Sequence, residues 1–336
     1  MKRREVVLYA ILVALVSTLA LLNLASGSAK LTLSETSRVL FTHEVSSVEG
    51  AIVWNIRTPR MVAAALLGGA LALSGYLLQA FFVNPIAGPY VLGISSGAKL
   101  VVATLLVASC RYGFALHSSM MVSAAFVGAT IATTLVILVA RKVRNMAILI
   151  VCGVMIGYVC SAATELIVAF ADDSNIVNLH NWSLGSFSAI SWDDLRCFVP
   201  VVVVGSCSVF FLSKGIRAYL YGEEYAQSVG INLPVFRLLL VVGSSLLSAT
   251  VTAFAGPISF IGIAAPHVTR RAFRTSEPGT MMAGSFLVGA AFCLLSDWLA
   301  RRLFAPKELS VSTITAIIGA PIVLSMLLER KGGRRA

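Results

Sequence analysis

Long apolar runs, each closed by a short polar or basic stretch, recur along the whole 336-residue chain. They predict ten helical spans, at about 6–24, 61–82, 90–109, 118–140, 146–170, 195–212, 238–254, 258–270, 280–300 and 309–328. The second run organises the others. It follows RTPR at 57–60 and carries no charge from Met61 to Phe82. As a helix it would measure roughly 33 Å, enough to cross a hydrocarbon layer. It ends in NPIAGP at 84–89, where two prolines and a glycine predict a non-helical connector, suited to a turn or a gate, with Asn84 set to cap a helix end. The spans at 195–212 and 258–270 are the weakest, the latter being short and carrying Pro266. Between the spans, 27–56 is polar with a short helix near 34–41, 171–194 is rich in acids and tryptophans, and 213–236 is long for an internal loop.

Composition fixes the solvent of these helices. Hydrophobic residues are 58% and charged residues 12%, against about 45–50% and about 25% in soluble domains, so the chain reads as a polytopic helical membrane protein. The first run follows MKRRE and imitates a secretory signal, but with so many spans behind it an uncleaved first helix is expected. Ten spans put both termini on one side. With that side cytoplasmic, sixteen of the 26 basic residues fall inside, nine outside, and Lys99 within a span. The net charge of +11 thus follows from topology and anchoring, and nucleic acid is not implied. The six cysteines lie in or beside apolar runs and form no CxxC, as small buried hydrophobes do.

Few side chains in the spans carry chemistry. Small residues crowd 68–75 and 93–97, with Gly128 in the fourth span, and serve either close helix packing or a path lined by small groups. Glu165 and Asp297 are the acids inside spans, and Asp297 stands four residues before Arg301, the spacing of a helical ion pair. AGP at 87–89 recurs at 255–257 after a span of opposite direction, an echo consistent with inverted repeats of spans 2–5 and 7–10. Residues 213–237 predict a short helix from Glu223 to Gly230 with an acidic start, a small-residue middle and a glycine stop. A solvated loop is the plain alternative; a transporter driven by a separate motor needs such a docking helix. The chain has no GxxxxGK[ST], HExxH, TVGYG-like filter or nucleophile elbow.

Several blocks in order carry a family resemblance. The stretch RTPRMVAAALLGGALALSGYLLQAFFVNPIAGPYVLGISSGAKL at 57–100 resembles the signature of the FecCD family, permease subunits of bacterial ABC importers for ferric siderophores, haem and cobalamin. WSLGSFSAISW at 182–192, EEYAQSVGI at 223–231, AGPISFIGIAAPHVTRR at 255–271 and SDWLARRLFAPKELSVSTITAIIGAPIVLSMLL at 296–328 are similar to its later blocks. Ser310-Val311-Ser312 stands where the family often has Pro-x-Gly.

The resemblance implies an all-α polytopic membrane protein of about ten transmembrane helices with the BtuC-like ABC importer permease fold. It implies one permease domain over 1–336, with a cytoplasmic coupling loop at 213–237, in the bacterial inner membrane. The chain itself would hold no catalytic residue, cofactor or metal; ATP and magnesium would sit on two partner ATPase subunits. A second copy or a close paralogue would complete the path, a periplasmic or lipid-anchored binding protein would dock outside, and membrane lipid would surround the whole. Docking falls to Arg57, Arg60 and Arg301, which lie outside against the charge bias; simple interfacial anchoring is the alternative. Coupling to the ATPase falls to Glu223, Glu224, Ala226, Gln227, Ser228 and Gly230, with Ala226 and Ser228 in the ATPase groove, and the path to Ser74, Gly75, Ser95 and Ser96. Family frequency puts a ferric siderophore first as cargo, with haem and cobalamin behind it. An ion-coupled carrier working alone is the rival of another class.

Overall fold

The computed structural model describes residues 3–27, 33–42, 47–114, 117–140 and 146–332. Lys2, Lys30, Glu44, the cluster Arg141, Lys142 and Arg144, and the tail arginines Arg334 and Arg335 lie outside the described residues. Among the described residues all regular structure is helical: α1 (Arg3–Ala25), α2 (Leu33–Thr42), α3 (Val48–Ala51), α4 (Thr58–Phe81), α5 (Ile94–Tyr112), α6 (Ser118–Ala140), α7 (Met146–Val168), α8 (Asp173–Ser183), α9 (Trp192–Phe210), α10 (Ser213–Leu220), α11 (Glu223–Ser228), α12 (Leu233–Ala255), α13 (Ile261–Phe273), α14 (Pro278–Arg302) and α15 (Val311–Gly332).

Eight of these elements are long and apolar enough to cross a membrane, and a ninth joins them if α9 and α10, bent by 49°, form one span. The remaining predicted span is α13. Its 13 residues give roughly 20 Å of helix, short of the hydrocarbon thickness. The two departures from ten full spans are thus the two segments weakest in the sequence.

The second span starts earlier than its apolar run. Ser47 caps α3 by accepting from the Gly50 amide at 3.0 Å, and a π-helical turn, Ile52–Arg57, carries the helix on into α4. The result is one helix of 34 residues, Val48–Phe81. The wide turn has a local cause. Pro59 has no amide proton and its ring crowds the carbonyl four residues back, so the turn before it loosens, and Thr58 bonds five residues back, its hydroxyl donating to the Val53 carbonyl at 2.7 Å. Arg57 and Arg60 therefore sit within a helix rather than in a loop before one.

Burial separates core helices from peripheral ones. The best apolar window of Val48–Phe81 is 78% buried and that of α1 is 6% buried, so the glycine-rich second span is enclosed by protein while α1 offers its side chains to lipid. The chain forms two compact units. The first takes residues 1–73, 186–203 and 258–336. In it α14 packs on α1, α13 and α15, and α4 meets α14 where Gly68 and Gly289 face each other: a Cβ on Gly289 would stand 2.4 Å from the Gly68 carbonyl oxygen. The second takes 74–185 and 204–257. There α5 packs on α6, α7, α8 and α12, and Gly97 opposes Gly128 so closely that a Cβ on Gly128 would lie 2.2 Å from the Gly97 carbonyl oxygen.

The connector after α4 is non-helical, as its prolines require. Val83 is left-handed (φ 48°), and the Asn84 amide returns to the Gln79 carbonyl at 3.0 Å, which closes the helix end. The Asn84 side chain does not cap that helix; it accepts from the Ile86 amide at 3.2 Å in a local turn. A short 3-10 turn, Pro89–Leu92, and left-handed Gly93 then start α5. Gly93 has no room for a side chain, since a Cβ would come within 3.0 Å of the Gly157 amide nitrogen of α7.

Candidate functional site

The three arginines assigned to docking meet in one place in the first unit. Together with Gly27, Ile52, Ile56 and Glu308 they line a cavity of about 240 Å3. They are not free surface charges: Arg57, Arg60 and Arg301 are all buried. The reason is Asp297, fully enclosed on α14, to which both Arg60 and Arg301 are drawn. Arg60 Nη2 lies 2.9 Å and Nε 2.9 Å from Asp297 Oδ1, and its Nη1 reaches Glu308 Oε2 at 3.1 Å. Arg301 Nε lies 3.3 Å from Asp297 Oδ2, the i,i+4 pair read from the sequence, and its guanidinium donates to the Asn23 amide oxygen and to the Ser26 carbonyl. Arg57 donates to the Leu24 carbonyl at 2.7 Å. Gly27 makes this possible, because a Cβ there would fall 2.7 Å from Arg57 Nη2.

The cluster thus joins α1, α4 and α14 to the segment before α15. Among the described residues, Arg60 and Arg301 share Asp297, and Arg60 also reaches Glu308. Buried charges persist only when paired and hydrogen-bonded, and the Asn23 side chain and α1 carbonyls supply the remaining acceptors. Asn23 and the reach of Glu308 escape the sequence reading. An amide inside an otherwise apolar first span was the one available signal for Asn23.

A second arrangement lies in the second unit, at 213–237. Two helices stand there in place of the one expected, α10 and α11, and 233–237 already belong to α12, whose start is capped by Asn232 accepting from the Val235 amide. Glu223, Glu224, Gln227, Ser228 and Gly230 are exposed. Ala226, expected in the ATPase groove, is fully buried against its own chain. A six-residue helix lying on the protein must turn one side inward, and the small apolar residue takes it. Outward stand Tyr225 and, just before the helix, Tyr221, with ring centroids 5.8 Å apart. Glu223 pairs with Arg237 of α12 and accepts from the Tyr219 hydroxyl at 3.2 Å. Tyr219 and Arg237 were not singled out by sequence.

The four residues assigned to the path divide. Ser74 is fully buried and its hydroxyl lies 2.8 Å from the Ser244 carbonyl and 2.9 Å from the Ser244 hydroxyl, so it clamps α4 to α12; Gly75 beside it is buried too. Within this chain both are packing residues. Ser95 and Ser96 are partly exposed on α5, and Ser96 receives a weak 3.4 Å contact from Ser161 of α7. Lys99 is half-buried and Glu165 exposed.

Comparison with known proteins follows the same lines. The family model of the FecCD transport family matches residues 13–329. A vitamin B12 import system permease protein of Klebsiella pneumoniae subsp. pneumoniae is 34% identical over 282 residues, covering 83% of this chain and 83% of that protein. Its counterpart in Salmonella typhimurium is 35% identical over 282 residues, covering 82% of this chain and 83% of that protein. Among solved structures, a transporter assigned to the metal-chelate type of ABC transporter, in an inward-facing conformation, superposes with a TM-score of 0.81 at 26% identity, covering 95% of this chain and 97% of that one.

Proposed function

The chain belongs to the FecCD transport family and is a non-catalytic permease subunit of an ABC importer, and from that premise we propose that its cargo is a metal chelate of the corrinoid class. The observation that carries this reading is the identity of 34–35% with vitamin B12 permeases over 82–83% of the chain. It displaces the siderophore preference, which rested on family frequency alone. A ferric chelate is the second reading, favoured by the fold match to a metal-chelate type transporter across 95% of the chain. Both share one physical argument. The described residues gather no group of three or more His, Cys, Asp or Glu able to hold a metal ion. A bare cation would thus find little to offset its dehydration there, whereas a chelated ion carries its own ligands. Uptake of cobalamin, ferric siderophore and haem, measured in parallel in the reconstituted complex, tests the choice. Cobalamin uptake is expected; uptake of siderophore alone overturns it.

The transport cycle then assigns roles to the two arrangements. A second copy of this chain or a close paralogue completes the path, with Ser95 and Ser96 at its wall, and two ATPase subunits drive the pair from the cytoplasm, where both termini lie. The ATPase contact uses the outward side of Glu223–Ser228, with Glu224, Tyr225, Gln227 and Ser228 against the partner and Gly230 closing the turn. Exposed aromatics such as Tyr221 and Tyr225 suit the centre of such a contact. On the outer face, carboxylates of the substrate-binding protein dock at the cavity lined by Arg57, Arg60 and Arg301. Charge complementarity of this kind sets orientation and on-rate more than affinity.

A further inference from the structure

The hydroxyl of Tyr219 has one proton and two acceptors. It lies 3.2 Å from Glu223 Oε1 at the start of α11 and 3.3 Å from the carbonyl oxygen of Phe81, the last residue of α4. Both acceptors need it. The helical partner of the Phe81 carbonyl would be the amide of residue 85, and residue 85 is a proline with no proton to give. Glu223 is a carboxylate whose same oxygen, Oε1, is also held by Arg237 of α12. The Tyr219 ring itself is fixed: it is buried, and its centroid lies 5.7 Å from that of Phe236 on α12. Gly215 of α10 sits against the same Phe236 ring, where a Cβ would meet Cε2 at 2.5 Å. The rest of α11 is tied down as well, by buried Ala226 and by the Ile231 amide donating to the Ala226 carbonyl at 3.0 Å.

We propose that Tyr219, Glu223 and Arg237 form a latch through which movement of the coupling helix reaches the end of α4 and the NPIAGP connector behind it. With Glu223 in place, Tyr219 divides its hydrogen bond between the carboxylate and the Phe81 carbonyl. When the ATPase displaces α11, Glu223 leaves the hydroxyl, and Tyr219 donates wholly to Phe81, tightening the last turn of α4. The Glu223–Arg237 pair opens in the same movement. The end of α4 is suited to respond, because left-handed Val83 and the two prolines follow it within eight residues. Tyr219 and Arg237 are thus positioning residues for coupling. The proposal rests on the reading of 213–237 as the ATPase contact.

The test uses the complete complex with its ATPase and binding protein in lipid nanodiscs and liposomes. Tyr219→Phe removes the hydroxyl and keeps the ring; Arg237→Gln removes the charge; Arg237→Lys keeps it. The expected result is that Tyr219→Phe and Arg237→Gln complexes assemble and hydrolyse ATP but move about tenfold less substrate per ATP, the effect of one charge-assisted hydrogen bond. Arg237→Lys should restore most of that ratio, which a merely structural role would not predict. Independently of transport, amide exchange over 82–93 should respond to nucleotide in the wild-type complex and lose that response in Tyr219→Phe. An unchanged ratio with an unchanged exchange response overturns the latch, as does joint loss of assembly and thermal stability in all three variants. A wild-type complex that assembles, shows the exchange response, and imports nothing with ATP strikes the importer reading and leaves the latch standing.

Discussion

Asp297 is where the charges of the first unit converge. Fully enclosed, it accepts from Arg60 on α4 and Arg301 on its own helix. Replacing it with alanine leaves two guanidiniums buried without their shared partner, and such a loss costs about 3–5 kcal/mol. The Asp297→Ala protein should therefore melt at clearly lower temperature in detergent, and adding Arg60→Met should recover part of the difference, since an uncharged neighbour no longer needs the carboxylate. Equal melting temperatures for wild type and Asp297→Ala would mean that water already solvates these charges. The sequence displayed the near half of this cluster, because Arg301 stands at helical spacing from Asp297. It could not display Arg60, 237 positions away, or Asn23, which meets Arg301 only once α1 lies along α14.

Among the helices, close approach is the recurring device. At the α5–α6 crossing a methyl on Gly128 would stand 2.2 Å from the Gly97 carbonyl oxygen, inside contact distance with backbone that cannot swing aside. Gly128→Ala should destabilise by about 1–3 kcal/mol, the usual cost of overpacking. Gly279, in the first turn of α14, meets nothing within 4 Å, and Gly279→Ala should be neutral or slightly stabilising. Parallel melting of the two variants separates crowding from any general effect of losing a glycine. Val83 supplies the converse case: exposed, β-branched and left-handed, it should gain about 1 kcal/mol on Val83→Gly, read as a raised melting temperature. The sequence disclosed these crossings as clusters of small residues, and α6 to its very ends, since 118–140 carry no charge. It left α8 as a polar segment, because a helix lying across others keeps only Asn175 and Leu179 inward and shows no long apolar run. It also missed that α4 begins at Val48, since the polar residues of 47–57 hide a helix that a π turn carries past Pro59.

At the scale of the molecule, the two compact units do not follow chain order. Each draws on several stretches, and α4 and α9 each contribute to both. Both AGP sequences precede a left-handed residue at a helix start, Gly93 before α5 and Phe260 before α13. Membership of the importer family was legible because it lies in ordered local blocks, and the comparisons bear it out. Cargo was not legible, because a chelated ion brings its own ligands and asks for no ligand set in the sequence. The measurement that tests the account most directly is substrate uptake by liposomes holding this permease, its ATPase and its binding protein, with and without ATP inside the ATPase compartment. The account predicts cobalamin accumulation that requires ATP and both partners; accumulation by the permease alone, or driven by an ion gradient without ATP, would contradict it.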